Sequence, residues 1–212
     1  MSRNGLTMAA AVAAMAMFGT VAQADVVTFN DLPTMFFSGS STFTDGGYQF
    51  AYTAGPSGFA QIAAPAPCGP PCASNGTNAF YSFNTGSLTV SAIDGNPIAL
   101  SALDLAQTFT TLNRPLDVMI VGQTVSSSTV SQEFTAPPGG ADSFQTFHLP
   151  TGFTDLASFT ISGVGTYPTT EFAVDNLVVS GAPGPSPGAG LLSLGLLILA
   201  GAMTKARGLL AR

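Results

Sequence analysis

STFTDGGYQFAY, residues 41–52, decides the fold. Polar and apolar residues alternate on both sides of Asp45-Gly46-Gly47, and that triplet supplies the positive-φ residues of a tight turn. Phe43 and Tyr48 begin one aromatic face of the resulting hairpin. The same pattern continues outward in both directions. Short runs of Val, Ile, Phe, Thr and Ser, broken by Gly, Pro, Asn and Asp, predict strands at 25–30, 40–44, 48–53, 58–63, 79–83, 87–93, 98–106, 116–122, 128–134, 143–148, 157–162 and 171–180. A second turn is expected at Asp94-Gly95-Asn96-Pro97. Strands spaced about ten residues apart mark a sandwich or barrel rather than βαβ units. No stretch of this region reads as a capped amphipathic helix, and no fixed-period repeat suggests a solenoid or propeller. The expected fold class is all-β, an antiparallel β-sandwich of jelly-roll-like form, with its first and last strands adjacent.

Outside residues 25–181 the composition changes. Met1-Ser2-Arg3, the apolar run Leu6 to Val21 and Ala22-Gln23-Ala24 have the order of a secretory signal peptide, residues 1–24, so the mature chain is expected to begin at Asp25. Residues 182–188 form a Pro/Gly linker that can carry neither helix nor ladder. Residues 189–204 are apolar or small and predict a single transmembrane helix, which at about 1.5 Å per residue is slightly short for a bilayer core of about 30 Å. Lys205, Arg207 and Arg212 in the basic tail, 205–212, can snorkel to close the gap, and they orient that tail toward the cytoplasm.

All eleven Asp and Glu residues lie between Asp25 and Asp175, where Arg114 is the sole Lys or Arg. The ectodomain is therefore close to −10, against −6 for the whole chain. Such a surface has nothing to neutralise phosphates and release counterions, which excludes nucleic acid as a partner. The polar surface falls instead to Ser, Thr, Asn, Gln and Gly, of which Ser, Thr and Gly are poor helix formers, as suits a secreted β domain.

The linker and tail carry a specific resemblance. Pro185-Ser186-Pro187-Gly188-Ala189, followed by the apolar run to Met203 and a basic end, resembles the PEP-CTERM sorting signal of exopolysaccharide-producing Gram-negative bacteria. Ser186 stands where that family has Glu. The resemblance implies an exosortase-type processing enzyme as partner, transient anchoring in the inner membrane, and release to the cell surface or exterior.

Candidate chemistry inside the ectodomain is sparse. Cys68 and Cys72 flank a Pro-Gly turn, and in an exported chain they read first as a short-loop disulfide, with free thiols as the alternative. Gly184-Pro185-Ser186-Pro187-Gly188 matches G-x-S-x-G, but a linker surrounds it where a nucleophile elbow needs a strand and a helix. His148 is the one histidine, so any Ser-His-Asp arrangement would rest on it, and a strand histidine is the simpler reading. Asp104, Asp117 and Asp175 sit in apolar strand contexts and each needs a cation, backbone N–H groups or solvent. Phe172-Ala173-Val174-Asp175-Asn176-Leu177-Val178-Val179 resembles the closing strand of carbohydrate-binding and galactose-binding jelly rolls. That resemblance implies a structural Ca²⁺ held by Asp175 and Asp31, with Asn30 or Asn176 assisting; the alternative is that Asp175 accepts backbone hydrogen bonds or faces water.

These features favour a non-enzymatic, exported cell-surface or matrix protein associated with exopolysaccharide or biofilm. A carbohydrate-binding module is the second reading, with Phe, Tyr, Asn and Asp of loops such as 55–78 supplying stacking and hydrogen bonds. A secreted hydrolase built on His148 or a carboxylate pair is the third. Deleting residues 183–212 is expected to move the protein from the envelope to the soluble fraction on cell fractionation; unchanged partition would remove the sorting reading.

Overall fold

The computed structural model describes residues 24–64, 72–108, 115–136, 144–165 and 170–181. The expected signal peptide, linker, sorting motif Pro185 to Ala189, membrane helix, basic tail, Cys68 and Arg114 lie outside them. Among the described residues no helix is long and apolar enough to cross a membrane.

The described residues form thirteen strands: β1 (Asp25–Val27), β2 (Met35–Phe37), β3 (Ser41–Asp45), β4 (Tyr48–Ala54), β5 (Phe59–Ala63), β6 (Ala79–Phe83), β7 (Gly86–Ala92), β8 (Ala99–Gln107), β9 (Leu116–Thr124), β10 (Thr129–Ala136), β11 (Gln145–His148), β12 (Leu156–Gly163) and β13 (Phe172–Ser180). They build two packed antiparallel sheets. The first runs β11-β8-β13-β6-β5-β2, with β1 also on β13, and the second runs β10-β9-β12-β7-β4-β3. The expected meeting of first and last strands is present, with Val26 opposite Val178.

The hairpin read from the sequence forms as β3 and β4, with Asp45 opposite Tyr48 and Gly46 and Gly47 at φ +56° and +86°. Both central residues of the turn need positive φ, the geometry that matches the right-handed twist of the strands. The turn at Asp94 also forms, where Asn96 N–H donates to Asp94 Oδ1 at 3.0 Å and Gly95 takes φ +74°. Two strands differ from expectation. β1 stops at Val27 rather than reaching residue 30, because Phe29 turns at φ +56° and its carbonyl accepts from Leu32 N–H. β2 was not expected: three residues are too few for alternation to show in a sequence.

The core between the sheets is aromatic at one end. Phe43 of the second sheet stacks on Phe50 at 5.0 Å and on Phe37 at 5.4 Å, and lies 6.1 Å from Phe80, the last two belonging to the first sheet. Phe29 closes the group edge-on to Phe50 at 5.3 Å. Toward the other end Val118, Ile120, Phe159, Ile161, Leu103 and Leu105 fill the space between the sheets. Phe43→Ala is expected to cost about 3–5 kcal/mol of stability, while Phe36→Ala, at an exposed ring, should cost less than about 0.5 kcal/mol. Equilibrium denaturation of the two variants checks the contrast.

Candidate functional site

Alternation in the first sheet sends every second side chain to its outer face, and there the residues are not those of a solvated surface. Phe36 of β2 faces Gln61 of β5, Gln61 faces Tyr81 of β6, Tyr81 faces Ala173 of β13, and Ala173 faces Ala106 of β8. In the neighbouring row Phe59 lies opposite Phe83. The rings are in contact: Phe59 stacks on Phe83 at 4.5 Å with planes 9° apart, Phe36 meets Phe59 at 5.6 Å, and Tyr81 lies 6.5 Å from Phe83. A second, smaller apolar cluster covers the middle of this face. Cys72 and Ala73 pack with Ala79, Tyr81, Phe83, Ala106 and Ala173, and Phe144 and Phe59 lie against them. Cover ends at the β2 edge. Phe36 is 59% exposed, and Phe59 and Gln61 beside it are half-buried.

The segment that brings Cys72 and Ala73 over the sheet is held by a polar network. Tyr81 donates its hydroxyl to Ala73 C=O at 2.9 Å. Asp175, fully buried, accepts at Oδ2 from Asn75 Nδ2 at 2.8 Å and Thr77 Oγ1 at 3.0 Å, and at Oδ1 from Asn176 N–H at 2.8 Å. Asn176 also donates through Nδ2 to Asp104 Oδ2 at 2.7 Å, and Thr146 donates to Asp104 Oδ1. Asn78 fastens the far end of the segment, donating to the carbonyls of Leu32 and Phe29. Burial pushes the Asp175 carboxyl up from its usual value, the donors from Asn75, Asn176 and Thr77 pull it down, and neighbouring Asp104 adds to the rise. Burial likewise raises Glu171, which is 4% exposed and accepts from Asn84 N–H at 2.9 Å.

Beside the aromatic row, at the strand ends, two turns border an open cavity of about 450 Å³ lined by Pro56, Ser57, Asn84 and Thr85. Ser57 and Asn84 both sit in the left-handed region, at φ +59° and +60°. Asn84 is pinned on three sides. Its N–H binds Glu171, its carbonyl accepts from Thr170 Oγ1 at 2.6 Å, and its side-chain amide donates to Ser57 C=O. Gly55 N–H donates to Thr85 C=O at 2.6 Å, and a Cβ at Gly55 would lie 2.0 Å from Thr85 Oγ1, so only glycine allows the turns to close.

The sequence-derived candidates fall as follows. Asp175 and Asn176 are joined, but Asp31 is an exposed residue of the turn after β1, near Asp45, whose carboxyl is raised first by burial and then by the Asp31 charge. Asn30 accepts from Asn78 N–H. Among the described residues no group of three or more His, Cys, Asp or Glu is placed to hold a metal ion. Cys72 is buried and is not a free thiol. His148 is exposed on the edge strand β11, opposite Ala102. Asp117 accepts from Thr135 Oγ1 at 2.7 Å across β9 and β10. The sequence reading placed stacking residues in 55–78, which includes Phe59, but it missed Phe36, whose strand it did not anticipate.

No family model matches the chain, and no curated protein does. Among solved structures it is similar to a DUF4465 family protein from Bacteroides ovatus, at 7% identity and TM-score 0.44 over 76% of this chain and 99% of that one. It is also similar to an F5/8 type C domain from Bacteroides fragilis, at 11% identity and TM-score 0.40 over 66% and 95%. A CBM22-1 xylan-binding domain from Paenibacillus barcinonensis gives 11% identity and TM-score 0.38 over 76% and 97%. Likeness at these levels does not extend to function.

Asp175, Glu171 and Asp45 all have folded-state pKa values above those of the unfolded chain. Between the ordinary carboxyl pKa of about 4 and the raised values the folded state holds protons that the unfolded chain has released. Their contribution is therefore fully present below about pH 4 and is lost as pH rises through the raised values. The denaturation midpoint is expected to fall as pH rises above about 4 through the raised values, and Asp175→Asn should flatten that slope. Equal slopes in the two proteins would contradict the assignment.

Proposed function

We propose that this chain is an exported, non-enzymatic surface protein whose jelly-roll-like ectodomain binds a neutral polysaccharide along the β2 edge of the first sheet. The observation that carries the reading is the contiguous ring surface of Phe36 and Phe59, backed by Phe83 and bordered by Gln61. Phe36 meets Phe59 with one side of its ring and leaves 59% of itself exposed on an edge strand. Aromatic faces suit the apolar C–H faces of sugar rings, while amide and hydroxyl side chains match their hydroxyls. An acidic ectodomain repels anionic polymers, so the partner chemistry is uncharged.

The C-terminal motif Pro185 to Ala189 fits this role by directing the protein, through an exosortase-type enzyme, to the surface where exopolysaccharide accumulates. Neither calcium nor a catalytic residue is required.

Retardation of the protein in native gels containing xylan, galactomannan or hydroxyethylcellulose tests the reading. At least one polymer is expected to slow the wild type, and Phe36→Ala and Phe59→Ala should each weaken retention about tenfold, the scale of a lost stacking contact. Unchanged retention in both variants would move the site elsewhere.

A further inference from the structure

The cavity between turns 55–58 and 84–85 has features that the aromatic row does not explain. Ser57 and Asn84 meet at its rim, where Asn84 Nδ2 donates to Ser57 C=O, and both take left-handed φ, a region asparagine adopts more readily than most residues. Asn84 is held in place by a buried carboxylate, a threonine hydroxyl and the Ser57 carbonyl, and its Oδ1 is left as an acceptor with no partner among the described residues. Ser57 brings a hydroxyl to the same rim. A Cβ at Gly58 would lie 2.3 Å from Thr85 C=O, so this turn, too, is closed around glycine.

The cavity is also continuous in the chain with the aromatic row. Ser57 stands two residues before Phe59 and Asn84 one residue after Phe83, and those two rings are the tightest stack on the face. A volume of about 450 Å³ is at the small end of ligand sites, suited to one sugar ring rather than a chain segment.

We infer that this cavity is a specificity subsite that seats a single uncharged sugar ring, with Asn84 Oδ1 and the Ser57 hydroxyl reading its hydroxyls, at the end of the polysaccharide path over Phe59 and Phe36. The inference rests on the polysaccharide reading above and adds where the sugar type is discriminated. Rings along the aromatic row are recognised by their faces, which differ little between hexoses. The ring in the cavity is recognised by the orientation of its hydroxyls, where a mismatch leaves polar groups unpaired.

The test is saturation-transfer NMR on the full chain with the methyl glycosides of glucose, galactose, mannose and xylose, comparing wild type, Ser57→Gly, Asn84→Gly and Phe36→Ala. Glycine keeps the left-handed turns open, so neither turn variant should unfold the protein, and Ser57→Gly should melt no lower than wild type. The wild type is expected to take transfer preferentially to one glycoside. Ser57→Gly and Asn84→Gly should each lower that transfer about tenfold and remove the preference among glycosides, while Phe36→Ala is read by its weakened gel retention. No transfer to any glycoside, or transfer unchanged in both turn variants, would overturn the subsite. If gel retention by wild type persists in that case, the aromatic row stands without it; if retention is absent as well, the polysaccharide reading itself fails.

Discussion

Phe43 stacks on Phe50 and Phe37 and reaches Phe80, and through this group the two sheets are locked in one register. The side-chain period of a strand is two, so fixing which residues point inward fixes every residue that points outward. With Phe37 inside, Phe36 must be outside. With Ala60 and Ile62 inside, Phe59 and Gln61 are outside, and Phe80 inside leaves Tyr81 turned outward. A slip of one residue in β2 would bury Phe36 and expose Phe37, and the ring surface at the edge would vanish. The candidate site is thus a consequence of how the aromatic core packs.

The first sheet then faces a problem that the second does not. Its outer face carries Tyr81, Phe83, Ala106 and Ala173, too apolar to leave to water, and Cys72, Ala73 and Phe144 cover it. That cover is a loop, and a loop over an apolar face must find partners for its polar groups. Asp175 supplies them. One buried carboxylate takes donors from Asn75 and Thr77 on the covering segment and from Asn176 on its own strand, and Tyr81 ties down Ala73. The cost of burying the charge appears as its raised pKa. The result is a face dry in its middle and open at its β2 edge.

Much of this architecture was legible in the sequence. The hairpin at residues 41–52 was readable because alternation and a Gly pair agree, and the meeting of the first and last strands was implied by the resemblance of residues 172–179 to a jelly-roll closing strand. The demand that Asp175 find partners was also visible, since an acid between Val174 and Asn176 in an apolar strand has to be satisfied. Which partners it found was not. Asn75 and Thr77 lie about a hundred residues away in a segment without periodicity, and they meet Asp175 because that segment leads into β6, which pairs with β13. Calcium was inferred from Asp31 and Asp175 together, yet the turn at Phe29 carries Asp31 toward Asp45. Phe36 was invisible as a surface ring because a three-residue strand has no period to read. The turns at Ser57 and Asn84 carry turn residues, Pro56 and Gly58 about the one and Asn84 itself in the other, but composition does not say which residue takes the positive φ.

The central claim is that sugar meets this protein at the β2 edge of the first sheet. Amide chemical-shift mapping of the full chain with a soluble oligosaccharide of whichever polymer retains it tests that claim most directly. The account predicts perturbations concentrated at residues 35–37 and 59–61 and in the turns at 55–58 and 84–85, with the second sheet silent. Perturbations centred on β3, β4, β7 and β12, or spread evenly over both sheets, would contradict it.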